Sequence, residues 1–440
     1  MYKCCFYIGP ISDKTECTAA QGSLHSPGMN LPDRRENVKK ALIAMSGGVD
    51  SSVAALLTKE QGYDIAGVTL KMFGNELIGV EGDSTCCSTS DVEDAESVCR
   101  RLGVPFYVFN FADKFEKEVV QRFVKAYEEG RTPNPCIDCN RYLKFGALFQ
   151  RMEELGYDCI VTGHYARIEQ AGRVCGTEAD IAGGSDTDAE SRMCAGMEAD
   201  IADGSDTDAG SRMCAGIEIE PGRFLLKKAL DPKKDQSYVL YSLTQEQLSH
   251  VLFPLGSMTK DETRKMAEAH GFINAKKHDS QDICFVPDGD YTGFIGRYTG
   301  KEYPHGDFVD EDGRVLGEHK GLIRYTVGQR KGLGLALPAP LYVCRKDIDR
   351  NQVVLAPNDR LFSKTLTVSD FNWIAFDEPE APFRAAVKVR YSQKESPAEV
   401  TPLGGGKVRI DFDEPERAIT PGQAAVVYDG DIVIGGGTIK

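Results

Sequence analysis

The sequence predicts an α/β fold with a doubly wound parallel sheet, followed by a small central domain and a C-terminal β-barrel. Apolar runs of strand length alternate with helical patterns through the first 165 residues, in the βαβαβ order that builds a parallel sheet. From Gly306 onward, short runs of alternating polarity are separated by Gly, Pro and Asp turns, which is typical of small β-barrels. The length of 440 residues allows about three domains.

The first part of the chain supplies the elements of the parallel sheet. Buried strands are predicted, in order, at residues 41–45, 65–72, 106–111 and 159–162. Helical patterns between these strands occupy residues 52–61, 91–102, 115–129 and 145–155. The first pattern ends at Gly62 and the second at Gly103. Ligands of such sheets bind beyond the carboxyl ends of the strands, so we expect the functional site in the loops that follow them.

Breaks in these patterns divide the chain into segments. Residues 1–37 have no sustained periodicity and contain Gly, Pro and Ser, which indicates a flexible N-terminal extension. We expect the α/β domain at residues 38–285, the central domain at residues 286–360 and the C-terminal barrel at residues 361–440.

An acidic repeat at residues 171–220 interrupts the α/β domain. An Arg-x-Cys unit recurs at Arg173, Arg192 and Arg212, and the segment contains 12 acidic residues against these three arginines. The units have too few apolar residues to stack as a solenoid, so we expect a disordered insert. The Gly-Ser-Asp-Thr-Asp runs are faintly similar to calcium-binding repeats, which is the weaker alternative.

Composition and charge exclude several classes of protein. The formal net charge of −15, from 52 basic and 67 acidic side chains, argues against a sequence-independent coat on nucleic acid, although a local basic patch is compatible with it. No apolar run reaches the roughly 18 residues that a membrane span needs, and residues 1–28 contain no signal-peptide core. The 14 cysteines are scattered rather than spaced as a disulfide framework. We therefore expect a soluble cytoplasmic protein without a membrane partner.

A candidate phosphate-binding loop follows the first predicted strand. It has the sequence Ser46-Gly47-Gly48-Val49-Asp50-Ser51-Ser52 and runs directly into a helix. Two glycines permit a tight turn, the helix start presents N–H groups to an anion, and the serines add hydroxyl donors. The Gly-Lys-Ser/Thr ending of a Walker A loop and the Gly-x-Gly-x-x-Gly dinucleotide fingerprint are both absent. An ordinary strand-to-helix turn is the alternative interpretation.

Two cysteines are distinguished by their surroundings. Cys139 ends the segment Thr132-Pro133-Asn134-Pro135-Cys136-Ile137-Asp138-Cys139, where two prolines restrict the backbone and the next residue, Asn140, can cap a following helix. Cys284 follows 145 residues later in Asp282-Ile283-Cys284-Phe285. Two thiols in one pocket are suited to sulfur transfer, because one can hold a persulfide while the other attacks it. Either cysteine alone is more often a buried apolar residue.

These motifs resemble two nested families. The loop is similar to the signature of the ATP pyrophosphatases, or PP-loop enzymes, which have a Rossmann-like sheet and cleave ATP between its α- and β-phosphates. Together with both cysteine segments it closely resembles the tRNA-specific 2-thiouridylases, over residues 39–440 apart from the acidic insert. In that family the cysteine of Asn-Pro-x-x-x-Cys-Asn is the nucleophile, here Cys139, and the cysteine of Ile-Cys-Phe holds the persulfide, here Cys284.

The resemblance implies the other residues of the site. ATP is expected to bind the loop and two neighbouring strand ends, at Ala44, Met45, Ser46, Gly47, Gly48, Val49, Asp50, Ser51, Leu70 and Gly163. tRNA is expected to contact residues of several segments, namely Asn134, Pro135, Cys136, His164, Lys234, Asp235, Gln236, Arg390, Tyr391 and Gln423. Mg²⁺ is expected with the nucleotide, with Asp50 as a candidate ligand, and no further metal site is expected.

One residue departs from the family pattern. Many relatives have Asp where this chain has Cys136, and the change creates a Cys-x-x-Cys pair with Cys139. Such a pair could supply half of a zinc or iron–sulfur site, but the chain contains no second Cys-x-x-Cys. We favour an incidental Cys136 beside a catalytic Cys139, and a metal cluster is the alternative.

The resemblance implies an ATP-dependent tRNA uridine 2-sulfurtransferase. O2 of the wobble uridine would attack the α-phosphate of ATP, and sulfur from the Cys284 persulfide would displace AMP. Cys139 would either form a disulfide bond with Cys284 or first attack the base, and the sequence leaves both routes open. tRNA and an upstream persulfide donor protein are the expected partners of a monomeric enzyme. The alternatives are an iron–sulfur-dependent tRNA thiolase of the same loop family and a nucleotide-gated RNA-binding protein without chemistry.

Overall fold

A five-stranded parallel sheet organises the first half of the chain. The computed structural model describes residues 38–74, 89–172, 213–277 and 283–440, so the expected extension at residues 1–37 lies outside the described residues. The strands of this half are β1 Lys40–Ala44, β2 Asp64–Lys71, β3 Phe106–Asn110, β4 Cys159–Val161, β5 Ala166–Gln170, β6 Met213–Cys214, β7 Ile217–Glu218, β8 Phe224–Lys228 and β9 Val251–Leu252. The sheet has the order β3–β2–β1–β4–β9, and all of its pairings are parallel.

Helices cover both faces of this sheet. They are α1 Val49–Glu60, α2 Thr89–Leu102, α3 Ala112–Phe115 continued by Glu116–Val120 and Gln121–Glu128, α4 Pro135–Asp138 continued by Cys139–Ala147 and Leu148–Glu154, α5 Gln245–Ser249, α6 Lys260–Ala269 and α7 Tyr291–Thr299. Ile43 of β1 packs with Val53 of α1 and Val98 of α2, whereas Leu42 packs on the opposite face with Leu148 of α4. Neighbouring strand residues point to opposite faces, so this packing confirms the doubly wound class. Among the described residues, none of these helices has the length and apolar character to cross a membrane.

Helix α4 begins ten residues before the predicted helix start because it has a strong N-terminal cap. Asn134 is the N-cap, and its side chain accepts a hydrogen bond from the Cys136 N–H, while Pro135 occupies the first turn. The expected cap at Asn140 is wrong. That side chain is buried inside the helix, where Nδ2 donates to the Val239 carbonyl oxygen at 3.0 Å.

Two β-structures follow the parallel sheet and confirm the predicted central domain and barrel. The first is a four-stranded sheet of β10 Gly306–Val309, β11 Val315–His319, β12 Tyr342–Asp347 and β13 Gln352–Ala356, in the order β11–β10–β13–β12. The second contains β14 Phe362–Trp373, β15 Phe383–Lys388, β16 Ser396–Gly404, β17 Lys407–Arg417, β18 Ala424–Asp429 and β19 Ile432–Ile439. Pairing of β14 with β19 closes these strands into a barrel, which leaves no free edge among them.

A hairpin from the α/β part extends the barrel sheet. β5 and β8 pair antiparallel, and Lys227 of β8 pairs with Ile432 of β19. The Lys227 ammonium lies 2.9 Å from a Glu169 carboxylate oxygen and 3.1 Å from one of Asp431. The α/β part and the barrel are therefore joined by backbone pairing as well as by side-chain contacts.

The acidic insert departs from the expected disorder at both of its ends. Ala171 is buried, and residues 213–218 form the β6–β7 hairpin. Cys214 of this hairpin and Ile219, which follows it, are buried in the barrel core. These apolar side chains give the end of the insert a surface to bury, which the acidic repeats lack. The remaining residues of the insert, 173–212, lie outside the described residues.

Replacement of residues 173–212 by a short flexible linker should leave the free energy of unfolding close to that of the parent. Ile219→Ala should instead lower it by about 2–4 kcal/mol, the usual cost of truncating a buried aliphatic side chain. Chemical denaturation measures both variants. A large loss of stability in the linker variant would show that the repeats fold or bind the rest of the chain.

Candidate active site

The candidate site lies where the strand order of the parallel sheet reverses. Neighbouring strands β1 and β4 lead into the phosphate loop and into Gly163. In the strand order, the next strand of the sheet after β1 is β2 on one side, and the next after β4 is β9 on the other side. A Cβ atom on Gly163 would lie 2.7 Å from the Ser51 backbone nitrogen. The two loops therefore meet through their backbones, and only glycine at position 163 permits this contact.

The phosphate loop is held in shape by its own hydroxyl groups. Ser51 Oγ and Ser52 Oγ donate to the Gly48 carbonyl oxygen at 3.1 and 3.0 Å, and the Ser46 N–H donates to Ser51 Oγ at 3.2 Å. Ser52 is fully buried and does not supply the hydroxyl donor expected of it. No side chain among the described residues caps α1, so the N–H groups of its first turn are available to an anion.

Gly47 occupies a position that requires glycine. Its φ is +73°, and a Cβ atom there would lie 2.4 Å from the Asp91 carbonyl oxygen at the start of α2. The predicted nucleotide residues Met45, Val49 and Leu70 have buried side chains, so a ligand could contact only their backbone. Ala44 is half-buried and Ser46 is exposed.

Lys260, the first residue of α6, is a further residue of the site that was not predicted from the sequence. Lys260 is only 8% exposed, and its Nζ lies 2.6 Å from Asp50 Oδ1. The hydroxyl of Tyr165 donates to the same oxygen at 2.9 Å. A positive charge at the start of a helix interacts unfavourably with the helix dipole. The Asp50 carboxylate offsets this interaction because it pairs with the Lys260 ammonium. No local signal connects Lys260 to a loop 210 residues away in sequence.

The segment before Cys284 is fastened to the phosphate loop and to α2. Buried Asn274 donates through Nδ2 to the Gly47 carbonyl oxygen and to Ser52 Oγ, both at 2.9 Å. Lys277 Nζ lies 2.5 Å from Asp91 and 2.7 Å from the next carboxylate of α2, Asp94. Burial lowers the pKa of Lys277, but these two carboxylates raise it overall. The phosphate loop and the segment leading to Cys284 are thus connected by direct hydrogen bonds.

Cys139 and Cys284 lie in one apolar cluster. Cys139 is 8% exposed, and its Sγ lies 3.7 Å from Sδ of Met72, which follows β2. Half-buried Cys284 packs against the same cluster, next to Phe285, whose ring contacts Phe115 edge-on. The fold therefore brings together two thiols that are far apart in sequence, near the carboxyl edge of the sheet.

Three residues predicted to contact tRNA lie together near the surface. Tyr391 is 44% exposed, its hydroxyl donates to the Asp235 carbonyl oxygen at 3.2 Å, and Lys388 Nζ lies 5.8 Å from its ring centre. The Asp235 carboxylate accepts the Ser237 N–H and fixes the turn that contains half-buried Lys234. Gln236, also half-buried, reaches inward and accepts the N–H of Tyr165 at 2.9 Å through its side chain.

Two other residues predicted to contact tRNA connect parts of the protein. Arg390 Nη2 donates to the Ala418 carbonyl oxygen and to Thr420 Oγ1, both at 2.7 Å, and to the carbonyl oxygen of Val327 in the central domain at 3.3 Å. Gln423 Nε2 donates to the Thr132 carbonyl oxygen at 2.8 Å, between the barrel and the loop before α4. Contacts of these side chains with tRNA stay predictions.

His164 lies inside the protein. It is buried between the rings of Phe145 and Phe253, and its Nδ1 is 2.7 Å from Thr162 Oγ1. Burial and the positive charge of Lys144 hold the pKa of His164 well below its usual range, so the ring is neutral at pH 7. A contact of this ring with tRNA stays a prediction.

A cavity of about 750 Å³ lies between α3, α4 and the end of the barrel. Its lining includes Pro133 and Asn134 beside the start of α4. The lining contains six basic side chains, Lys117, Arg122, Lys125, Arg131, Arg141 and Lys440, and four acidic ones, Glu118, Glu129, Asp138 and Asp370. Glu118 pairs with Arg122, and Glu129 pairs with Lys125 and Arg131. The cavity therefore has a small local excess of positive charge on a chain whose net charge is −15.

Comparison with known proteins shows the same architecture in other chains. The family described as tRNA methyl transferase HUP domain matches residues 39–200 and 202–288. The family described as tRNA methyl transferase PRC-barrel domain matches residues 292–357. The family described as Aminomethyltransferase beta-barrel domain matches residues 363–439. The tRNA-specific 2-thiouridylase MnmA of Acetivibrio thermocellus is 46% identical, over 91% of this chain and 99% of that protein. The protein of the same name from Clostridioides difficile is 44% identical, over 91% of this chain and 98% of that protein.

Gly48→Val should abolish ATP binding while leaving the fold intact. Gly48 has φ −87° and ψ 164°, which valine adopts readily, and among the described residues a Cβ there would meet only Ser46 Oγ, at 3.3 Å. The branched side chain would obstruct the approach of phosphate to the backbone N–H groups. Calorimetric titration with ATP measures the loss, and Gly48→Ala is the control with a smaller side chain. Parent affinity in the valine variant would show that ATP binds elsewhere.

Asp138→Asn should stabilise the protein at pH 7 and not at pH 4. Burial raises the pKa of Asp138 from its ordinary value of 3.8 to about 6, against the opposing charges of Arg122 and Arg141. The raised pKa means that the protonated form stabilises the fold below about pH 4, and this contribution is lost as pH rises through about 6. The gain at pH 7 should be about 1–2 kcal/mol in urea denaturation. A loss at pH 7 would show that attraction to the two arginines exceeds the cost of burial.

Proposed function

The chain belongs to the family of tRNA-specific 2-thiouridylases, and from this premise we propose how it replaces O2 of a tRNA uridine by sulfur. It is a tRNA sulfurtransferase that uses ATP. The matching profiles have descriptions that mention methyl transfer, whereas the relatives that match over nearly their whole length are named for thiolation. The two thiols in one cluster support thiolation, and this is the observation on which the proposal mainly depends.

ATP activates the base in the first step of the proposed reaction. The uncapped start of α1 and the glycines of the phosphate loop bind the phosphates. O2 of the wobble uridine attacks the α-phosphorus, the bond to the β-phosphate bridge breaks, and pyrophosphate leaves. The resulting O2-adenylate makes C2 electrophilic, because AMP is a better leaving group than the original carbonyl oxygen.

Mg²⁺ would accompany the nucleotide at Asp50. Lys260 and Tyr165 bond to Oδ1 of Asp50, and a carboxylate oxygen of Asp50 would hold the cation. Within the described ranges, no three His, Cys, Asp or Glu side chains are grouped as a metal site. One carboxylate oxygen fits Mg²⁺ held chiefly by substrate phosphates and water. When bound there, the cation would neutralise charge on the pyrophosphate leaving group.

Sulfur transfer uses a persulfide on Cys284, loaded by an upstream donor protein. The terminal sulfur attacks C2, a C–S bond forms and AMP leaves. The Cys139 thiolate then attacks Sγ of Cys284, which breaks the bond to the transferred sulfur, frees 2-thiouridine and leaves a Cys139–Cys284 disulfide. The common cluster of the two thiols and the low exposure of Cys139 support this order over an initial attack of Cys139 on the base.

tRNA would dock on the surface around Tyr391 and the start of α4. An exposed ring beside Lys388 offers a stacking surface for an unpaired base, which is how proteins commonly bind bases of RNA loops. The basic cavity next to Asn134 offers cations to backbone phosphates. We propose that the enzyme acts in this way as a cytoplasmic monomer.

Cys139→Ser and Cys284→Ser should each bind ATP and tRNA but produce no 2-thiouridine from a protein persulfide donor. The phosphate loop is separate from the thiols, so adenylation does not require them, whereas the transfer needs both. Nucleoside mass spectrometry of the tRNA measures the product. Cys344→Ser, a half-buried thiol of β12, is the matched control and should retain parent activity.

Three other outcomes would contradict the proposed route. 2-Thiouridine at the parent level in Cys284→Ser would exclude a persulfide on that residue. Activity that depends on iron bound to anaerobically purified protein would favour an iron–sulfur-dependent thiolase. RNA binding without AMP release would indicate a nucleotide-gated RNA-binding protein.

A further inference from the structure

Cys136 is a third thiol beside the reacting pair, and the proposed transfer does not use it. We propose that Cys136 resets the enzyme after each turnover, by attacking Cys139 in the Cys139–Cys284 disulfide and moving that disulfide to the surface. An external dithiol then reduces it. This inference rests on the proposed function, because the disulfide is the product of the sulfur transfer described above.

The Cys139 sulfur of the product disulfide would be poorly accessible to a reductant. Cys139 is 8% exposed, and Cys284 is half-buried against Phe285 and the other rings of the cluster. Thiol–disulfide exchange requires a thiolate to reach one sulfur directly. A bulky protein reductant therefore has little access to Sγ of Cys139, and an internal thiol would shorten its path.

Cys136 has the position that such an internal thiol needs. It is exposed, and it lies three residues before Cys139 on α4. One helical turn at a rise of about 1.5 Å per residue places the two Cα atoms roughly 5 Å apart, within the range that a disulfide spans. The start of a helix also stabilises negative charge, which favours a reactive sulfur at this position. Cys136 N is bonded to the cap Asn134 at 3.1 Å, so the backbone here is well defined.

The surroundings of Cys136 order the steps. Burial raises the pKa of Tyr391, and the negative charges of Asp235 and Cys136 raise it further. The Cys136 sulfur therefore lies near the Tyr391 ring, which we assign to tRNA docking. Bound tRNA would cover Cys136. A reductant would therefore reach Cys136 only after the product has left.

The electrons and atoms balance with one external dithiol per turnover. The Cys136 thiolate attacks Sγ of Cys139, the Cys139–Cys284 bond breaks, and Cys284 leaves as a thiolate ready to accept new sulfur. The external dithiol supplies two electrons to the Cys136–Cys139 disulfide. It leaves as an oxidised disulfide, and the Cys136 and Cys139 thiols are restored.

The test compares single-turnover and steady-state rates of 2-thiouridine formation in the parent and in Cys136→Ser. Persulfide-loaded enzyme with excess tRNA gives the first rate, and enzyme supplied with persulfide donor and reduced thioredoxin gives the second. The ratio of the steady-state to the single-turnover rate should fall at least tenfold in Cys136→Ser. Replacing thioredoxin by a high concentration of dithiothreitol, which is small enough to enter the cluster, should restore most of that ratio. Cys344→Ser is the matched thiol control and should keep the parent ratio.

Peptide mass mapping after one turnover identifies the disulfides. Cys136→Ser should accumulate Cys139–Cys284, and the parent should contain Cys136–Cys139. An unchanged ratio in Cys136→Ser would overturn the inference while the proposed function stands. If the ratio were unchanged because both rates fell equally, the loss would assign Cys136 to tRNA binding. Absence of Cys139–Cys284 from every protein, with 2-thiouridine formed, would overturn the disulfide route of the proposed function itself.

Discussion

The phosphate loop can bind an anion through backbone N–H groups only if other parts of the protein hold it in place. Gly163 contacts the loop through its backbone, Asn274 bonds to the Gly47 carbonyl oxygen, and Lys260 bonds to Asp50. These three residues belong to three separate segments that lie beyond the first half of the parallel sheet in sequence. The nucleotide site therefore exists only when the whole α/β part has folded, since a flexible loop would lose binding energy in becoming ordered.

The same contacts connect the nucleotide site to the sulfur site. Asn274 and Lys277 precede Cys284, and both are bonded to elements around the phosphate loop. On the other side, Met72 follows β2 and contacts Cys139. The adenylated base and the two thiols would thus meet at one edge of one sheet. This placement gives a physical basis for sulfur transfer within a single pocket, because the reacting groups are positioned before they react.

Charge is distributed unevenly over this acidic protein. The acidic repeats and the basic cavity are both features of a chain with a net charge of −15. A polyanion such as tRNA responds to the local surface that it touches, since charges more than about 10 Å away are largely screened at physiological salt. The joining of the β5–β8 hairpin to the barrel fixes the relation between the α/β part and strands β15 and β19, which Tyr391 and Lys440 follow.

The sequence by itself determined the features that depend on local patterns. The alternation of strands and helices, the Gly-Gly turn after β1 and the surroundings of Cys139 and Cys284 are all readable within a few residues, because hydrophobic period and backbone restriction act locally. Only the tertiary structure decided that Lys260 reaches Asp50, that Asn140 turns inward and that Cys214 of the insert enters the barrel core. Each of these depends on which surfaces pack together across long separations in sequence. The residues around a side chain in the sequence do not specify its distant partner, which is set only when the elements pack together. These contacts could therefore not be predicted from periodicity or motif spacing.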